Sequence, residues 1–242
     1  MKRIETNRKN IDRDLRGIDK RKYFSPANYG DVKVTLPALK QYCKGECLDA
    51  GCGDMPYKEY IDNLVDQYDT IDFEEHVPGI KYIGDIQNMD MINDNIYDTI
   101  VCFEVLEHIP NPFKAVSEIR RVIKDNGIFI LTVPHLSRLH DVPHDYFRYT
   151  KYGLKSLLES NGFDVLKINA RGGLFSFLGH QFSNIILSLF WHIPIIKNIV
   201  FFINKWFCVR LSYFLDKHID NDKLFALGYT VVAQTRSNLS DK

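Results

Sequence analysis

The chain has 242 residues, 45 % apolar and 26 % charged, which is a globular composition with enough chain to bury a core. It excludes a disordered tail protein, a collagen-like fibre and a disulfide-built mini-protein. The 31 basic and 31 acidic side chains cancel, which argues against a general nucleic-acid binder, since these carry a basic excess.

The five cysteines (Cys43, Cys47, Cys52, Cys102, Cys208) are odd in number and form no C-x-x-C pair. They read as buried reduced thiols, not as a zinc site. The first 22 residues have no apolar core, so no secretory signal is read and a cytoplasmic location is expected. Residues 2 to 22 carry nine basic and four acidic groups and read as an exposed arm or frayed helix.

In chain order, Val32 to Tyr42 is weakly helical. Glu46 to Ala50 reads as a first strand, ending in Gly51-Cys52-Gly53. Asp54 and Pro56 suit the cap and first turn of a helix reaching about Val65. Tyr68 to Phe73 and Tyr82 to Asp85 are the second and third strands. Tyr97 to Val105 is a near-continuous apolar run, as in a buried parallel strand. Pro112 to Ile123 is an amphipathic helix and Gly127 to Val133 a fifth strand. Thr150 caps a helix that stops at Gly162, Phe163 to Ile168 is a sixth strand, and Tyr229 to Thr235 is a seventh. Alternating strands and helices imply an α/β fold: a Rossmann-like, doubly wound, seven-stranded sheet covered on both faces.

The most informative segment is Cys47-Leu48-Asp49-Ala50-Gly51-Cys52-Gly53, a strand ending in D-x-G-x-G. Its glycines allow a sharp turn and close backbone approach to a ligand. A dinucleotide fingerprint needs a third glycine where Pro56 stands, so a nicotinamide reading is weakened. Asp72, nineteen residues after Gly53, is placed to accept from both ribose hydroxyls. Asp85 ends the third strand, where a carboxylate can receive an adenine amino group. Glu104-Val105-Leu106-Glu107-His108 follows the fourth. All lie at carboxyl ends of strands, where open α/β sheets bind ligands.

This ensemble resembles the class I S-adenosylmethionine-dependent methyltransferases, in particular their type-11-like branch. The matching stretches are LDAGCG, Asp72, Gly84-Asp85, YDTIVCFEVLEHIPNP, NGIFILTVP and YTKYGLKSLLESNGF, between about residues 45 and 168. The resemblance implies S-adenosyl-L-methionine as cofactor and S-adenosyl-L-homocysteine as product. It implies that Asp49, Gly51 and Gly53 form the loop under the methionine part, with Asp49 near its amino group. Asp72 would hold the ribose, Phe73 pack on the adenine, Asp85 and Ile86 frame it, and Glu104 and Val105 line the methionine side. Glu107 and His108 read as the turn after the fourth strand, structural or in contact with the donor. The early Pro56 departs from the commonest pattern and is expected to adjust the loop exit.

A methyl acceptor with an oxygen nucleophile needs help losing its proton. The segment Pro134 to Tyr149 holds three of the eight histidines, two acids and two arginines. Histidine titrates near neutral pH. His144, next to Asp145, is the first candidate base, His140, next to Asp141, the second, and His135 the third. Arg148 and Arg138 are candidates for binding an anionic substrate group. The alternative is a packed structural loop. His140 and His144 have the i, i+4 spacing of metal ligands, but Pro143 interrupts it, and no metal is expected.

Between the sixth and seventh strands lie about fifty residues of different character. From Val165 through Leu215 there is no acidic residue and there are five basic ones. Phe182, Ile185, Ile186, Leu189, Phe190 and Ile193 share one helical face, and Asn184, Ser188 and His192 another. A second helix is expected from Ile195 to about Lys217. Pro194, Lys197 and Asn198 interrupt any membrane-spanning window. A buried cap over the active site, a homodimer interface and an interfacial membrane helix pair across about 180–215 remain open.

The expected organisation is a charged arm (1–24), a methyltransferase core (25–171), an apolar helical insertion (172–222), and the last strand with a tail (223–242). The expected activity is methyl transfer from S-adenosylmethionine, with oxygen the expected acceptor atom and a glycan or lipid-linked acceptor in cell-envelope metabolism. Two alternatives are methylation of a soluble small metabolite under a lid, and a non-catalytic donor-binding protein. Nucleic acid is not an expected partner, since no N-P-P-Y-type motif follows Val101. Location is cytoplasmic, with peripheral membrane contact as an option. The arm and the insertion each carry +5, so the remaining residues must carry −10 for the total to vanish.

Overall fold

The computed structural model describes residues 6–7, 10–11, 13–15, 17–220 and 222–236. Parts of the expected arm and the tail from 237 onward lie outside the described residues. The chain divides into two units. One is built from Thr35–Asn169 with the segment after Tyr229, the other from Ala170–Gly228 with the segment up to Val34.

The first unit carries most of the sheet. Its strands are β1 (Glu46–Ala50), β2 (Gln67–Asp72), β3 (Tyr82–Ile83), β4 (Tyr97–Phe103), β5 (Ile123–Pro134), β6 (Phe163–Arg171) and β7 (Gly228–Thr235). They stand in the order β3-β2-β1-β4-β5-β7-β6. The pairs β1–β2, β2–β3, β1–β4 and β4–β5 are parallel. β7 runs against β6: the amide of Leu227 donates to the Arg171 carbonyl at one end, and that of Arg236 to the Gly162 carbonyl at the other. Leu48, Ile100, Val101, Phe129, Ile130 and Val231 are fully buried, as expected of apolar runs in a sheet covered on both faces. The chain reverses its direction of travel across the sheet between β1 and β4. That switch point opens a crevice at their carboxyl ends.

Helix α1 (Pro26–Tyr42) is longer than the sequence implies. The helix expected from Pro56 to Val65 shrinks to one turn at Lys58–Ile61, and Asp54 does not cap it. The cause is local: Gly51, Gly53 and Met55 all have positive φ (77°, 49° and 49°), so the backbone after β1 wanders before it can coil. Helices α2 (Pro112–Val122) and α3 (Lys151–Ser160) start as expected. The Asn111 side chain accepts from the Lys114 amide, and Thr150 from the Gly153 amide.

The second unit is helical: α4 (Leu174–Phe190), α5 (Pro194–Ile203), a π-helical stretch (Asn204–Leu211) and α6 (Ser212–His218). At the start of α4, the Asp216 carboxylate accepts from the amides of Phe175 and Ser176, and Asp220 accepts from Leu174. The segment read as an exposed arm is partly buried here. Ile11 and Leu15 pack with Leu187 and Trp191, and the Asn7 amide donates to the Ser188 carbonyl. This unit is therefore larger than the expected insertion at 172–222.

Its helices also bury the face that hydropathy would leave outside. On α4 the buried residues are Ser176, Gly179, Ser183, Asn184, Leu187 and Ser188. Phe182, Ile185, Leu189 and Phe190 are exposed. Small side chains permit this close approach. A Cβ on Gly179 would lie 2.5 Å from the Cys208 carbonyl oxygen. Among the described residues no helix is long and apolar enough to cross a membrane.

Candidate active site

The loop after β1 is built for close approach. The Gly51 amide donates to the Ile71 carbonyl, and a Cβ at Gly51 would fall 2.6 Å from a methyl carbon of Val105. Glycine is thus required there both by φ and by contact. A Cβ on Gly53 would meet nothing within 4 Å, so the space above it is open to a ligand. The Gly53 amide donates to Asp72 Oδ2 at 2.7 Å, and the Phe73 amide to Asp72 Oδ1 at 2.7 Å. Asp72 is therefore held in place from below. Beside it the Phe73 ring is 77 % exposed and offers a flat apolar surface.

Asp49 is buried on β1, and its Oδ2 accepts from the Tyr68 hydroxyl at 2.5 Å. Burial pushes its carboxyl up to about 7; the Tyr68 bond opposes this and the Asp72 charge adds to it. A cation arriving at the end of β1 would be drawn to this group. Asp85 faces its own turn: its Oδ1 accepts from the Gln87 amide, and the Gln87 side chain donates to both oxygens. Ile86 is 4 % exposed, so its side chain packs into the core. Glu104, at the carboxyl end of β4, is held at φ 55°. That is a strained value for a non-glycine residue, of the kind that gathers at functional sites.

Three residues on, Glu107 sits in a short 3-10 turn (Leu106–His108) and is 0 % exposed. Neither of its carboxylate oxygens has a hydrogen-bond partner. The Nε2 atoms of His108 and His140 approach its Oε1 at 3.6 and 3.7 Å, too far for hydrogen bonds. Their rings meet edge to face at 4.7 Å. The loop after β5 is stitched to this turn. The amides of Tyr146 and Phe147 donate to the Glu107 carbonyl, and the Tyr149 hydroxyl to the Leu106 carbonyl.

The sequence neighbours do not pair as expected. Asp145 belongs with His140, not His144: it accepts from the His140 amide at 2.8 Å and lies 3.5 Å from His140 Nδ1. The Arg148 guanidinium grips both Asp145 oxygens at 2.6 and 2.7 Å and holds that carboxyl far below the usual range. Arg148 also donates to the carbonyls of Arg138 and Phe147, so it is a buttress and not a receptor for a substrate anion. His144 is exposed, with Nδ1 3.1 Å from the Tyr146 hydroxyl. His135 packs on Tyr229, with burial lowering its pKa. Glu107 and Asp145 raise that of His140. Of the three candidates, His140 is the one placed against the buried carboxylate. Glu107 itself carried no signal of burial in the sequence beyond following an apolar strand.

A model of the methyltransferase-domain family matches residues 19–168. The chain belongs to this methyltransferase family. Homologues in this family use S-adenosylmethionine as methyl donor. Among curated relatives, a probable S-adenosylmethionine-dependent methyltransferase of Mycolicibacterium smegmatis is 27 % identical over 169 residues, covering 64 % of each chain. A ubiquinone biosynthesis O-methyltransferase of Rickettsia akari is 29 % identical over 113 residues, 41 % of this chain and 44 % of the relative. The matches thus span less than two thirds of these relatives' lengths. The solved structure of the cyclase SpnF superposes with a TM-score of 0.58 at 15 % identity, covering 86 % of this chain and 81 % of that one. It shares the class I methyltransferase fold. The open face over Gly53, the fixed Asp72 and the buried Asp49 fit a donor bearing a ribose and a positive charge.

Proposed function

We propose that this protein transfers the methyl group of S-adenosylmethionine to a hydroxyl oxygen of a lipid-linked or glycan acceptor presented at a membrane surface. Asp49 faces the donor's ammonium group, Asp72 its ribose hydroxyls and Phe73 its adenine. Gly51 and Gly53 keep side chains out of the way, and Glu104 and Val105 border the methionine part. The donor supplies an activated methyl on a sulfonium. The turn with Glu107 and His108, together with His140, polarises the acceptor hydroxyl. The O-methyltransferase named among the relatives supports oxygen as acceptor atom.

The observation that carries the lipid part is the reversed burial of the helical unit. Phe182, Ile185, Ile195, Ile199, Phe202 and Phe207 are each 55–78 % exposed. They recur at helical spacing in a stretch without acidic residues. Isolated apolar side chains on a surface are ordinary, but a row of this size marks a contact site. Interfacial helices bury such a face in the headgroup region of an anionic bilayer. The seat is peripheral.

Sedimentation with anionic and neutral vesicles tests this reading. Retention on anionic vesicles is expected, and lost when Phe182, Phe202 and Phe207 are changed together to Ser. A protein that ignores vesicles but sediments as a dimer would assign the face to a second copy instead.

A further inference from the structure

We propose that Glu107, His108 and His140 bind one divalent transition-metal ion, which holds the acceptor's oxygen. The inference rests on the methyl-transfer reading above and adds the means by which the hydroxyl is activated. The ligand atoms of the three side chains lie within 4.8 Å of one another. Glu107 Oε1 is the hub, with the two Nε2 atoms at 3.6 and 3.7 Å.

The outer nitrogen of His108 fixes which of its atoms faces inward. His108 Nδ1 is 2.5 Å from the His144 carbonyl oxygen, a distance that requires an N–H there. His140 Nδ1 lies 3.4 Å from the Arg148 guanidinium, which can only donate to it, and 3.5 Å from the Asp145 carboxylate that Arg148 holds rigid. The His108 imidazole is thus backed by a carbonyl, the arrangement that orients metal-binding histidines and turns the other nitrogen's lone pair to the ion. The His108 lone pair then confronts a carboxylate that is 0 % exposed and has no hydrogen bond to either oxygen. A buried carboxylate with no hydrogen bond to either oxygen, beside a histidine nitrogen that faces it with its lone pair, is a seat for a cation.

The fit is close. Zinc-type bonds of about 2.0–2.2 Å need the Glu107–His108 and Glu107–His140 ligand pairs drawn together by only a few tenths of an ångström. Two imidazoles and a carboxylate suit zinc, cobalt, manganese or ferrous iron better than magnesium or calcium. Asp141, exposed and 3.9 Å from His108 Nε2, is within reach as a fourth ligand. The turn is also near the donor loop, because Val105, two residues before Glu107, abuts Gly51.

The acceptor hydroxyl would take an open coordination position and release its proton to solvent water. Its oxygen lone pair then forms the O–CH3 bond while the methyl–sulfur pair returns to sulfur. The products are a methyl ether and S-adenosylhomocysteine.

The test uses the full-length protein stripped with chelator and titrated with Co(II), read by its visible absorption and by calorimetry. One ion per chain is expected. His108→Asn and His140→Asn, which remove direct ligands, should each weaken it by more than the roughly 10–100-fold that loss of an outer-shell partner costs. S-adenosylhomocysteine binding, measured on the same samples, should persist in both and reports that they are folded. Glu107→Gln is a third variant, informative if its donor binding survives. Absence of stoichiometric Co(II) binding in protein that binds S-adenosylhomocysteine would overturn the metal site while sparing the donor site. Equal Co(II) affinity in both histidine variants would overturn it too. Failure of the wild type to bind S-adenosylhomocysteine would instead strike the methyltransferase reading.

Discussion

Leu187 and Leu189 lie two residues apart on α4. The first is 0 % exposed, packed with Ile11, Leu15 and Trp191; the second is 48 % exposed. In the sheet unit, by contrast, β4 buries Ile100, Val101 and Cys102 together, and α2 turns Val116 and Ile119 inward. The two regions are similarly apolar along the chain but spend that character differently. The sheet unit uses it to exclude water from its own core, and even buries carboxylates at a cost. The helical unit packs through serine, glycine and asparagine besides the Ile11, Leu15, Leu187 and Trp191 cluster, and shows many of its large apolar groups to the outside. Hydropathy therefore reports how much apolar surface a segment has, not which surface it covers.

The largest expected effect concerns the charge buried in the sheet unit. Unfolded Asp49 loses its proton near 3.8, whereas the folded group holds it up to about 7. In this window the folded state binds more protons, so stability falls as pH rises from about 4 to 7, by at most about 4 kcal/mol. Denaturant unfolding at several pH values should show Asp49→Asn with a flatter profile. Donor affinity should move the other way, strengthening as pH rises to about 7, because the ammonium favours the carboxylate.

The contrast within α4 comes next. Leu187→Ala should cost about 2–5 kcal/mol, as buried leucines do. Leu189→Ala should stay within about 0.5 kcal/mol. Equal losses in urea unfolding would mean that both faces are buried in solution, and the reversed packing would fall.

Asp72→Ala removes the proposed acceptor for the ribose hydroxyls. A loss of about 2 kcal/mol, or roughly 30-fold in S-adenosylhomocysteine affinity by calorimetry, is expected. An unchanged affinity would move the donor elsewhere. The smallest effect on stability belongs to the triple change of Phe182, Phe202 and Phe207 to Ser. It should leave the unfolding midpoint nearly unmoved while abolishing vesicle retention.

Much of the sheet unit was legible because its signals are local. A strand that ends in D-x-G-x-G, an acid at the end of the next strand, the amphipathic run from Pro112, and Thr150 ahead of another each declare themselves within a few residues. The illegible parts depend on distant neighbours. Asp145 stands next to His144 in sequence, but the loop folds so that His140 faces it, with Arg148 behind. Glu107 looked like a turn residue, because burial is decided by the loop from 135 to 149 that closes over it. The helix after Gly53 failed to form for a reason that a propensity reading passes over, three left-handed residues in succession at alternate positions. The burial of Ile11 and Leu15 was hidden by the charges around them.

The most direct test of the central claim follows labelled methyl groups from S-adenosylmethionine into a membrane extract separated into lipid and aqueous fractions. Label is expected in the lipid fraction with wild-type protein, absent with Asp72→Ala, and reduced about tenfold or more with the triple Phe variant. Label confined to aqueous small molecules, at a rate indifferent to the triple Phe variant, would contradict the account.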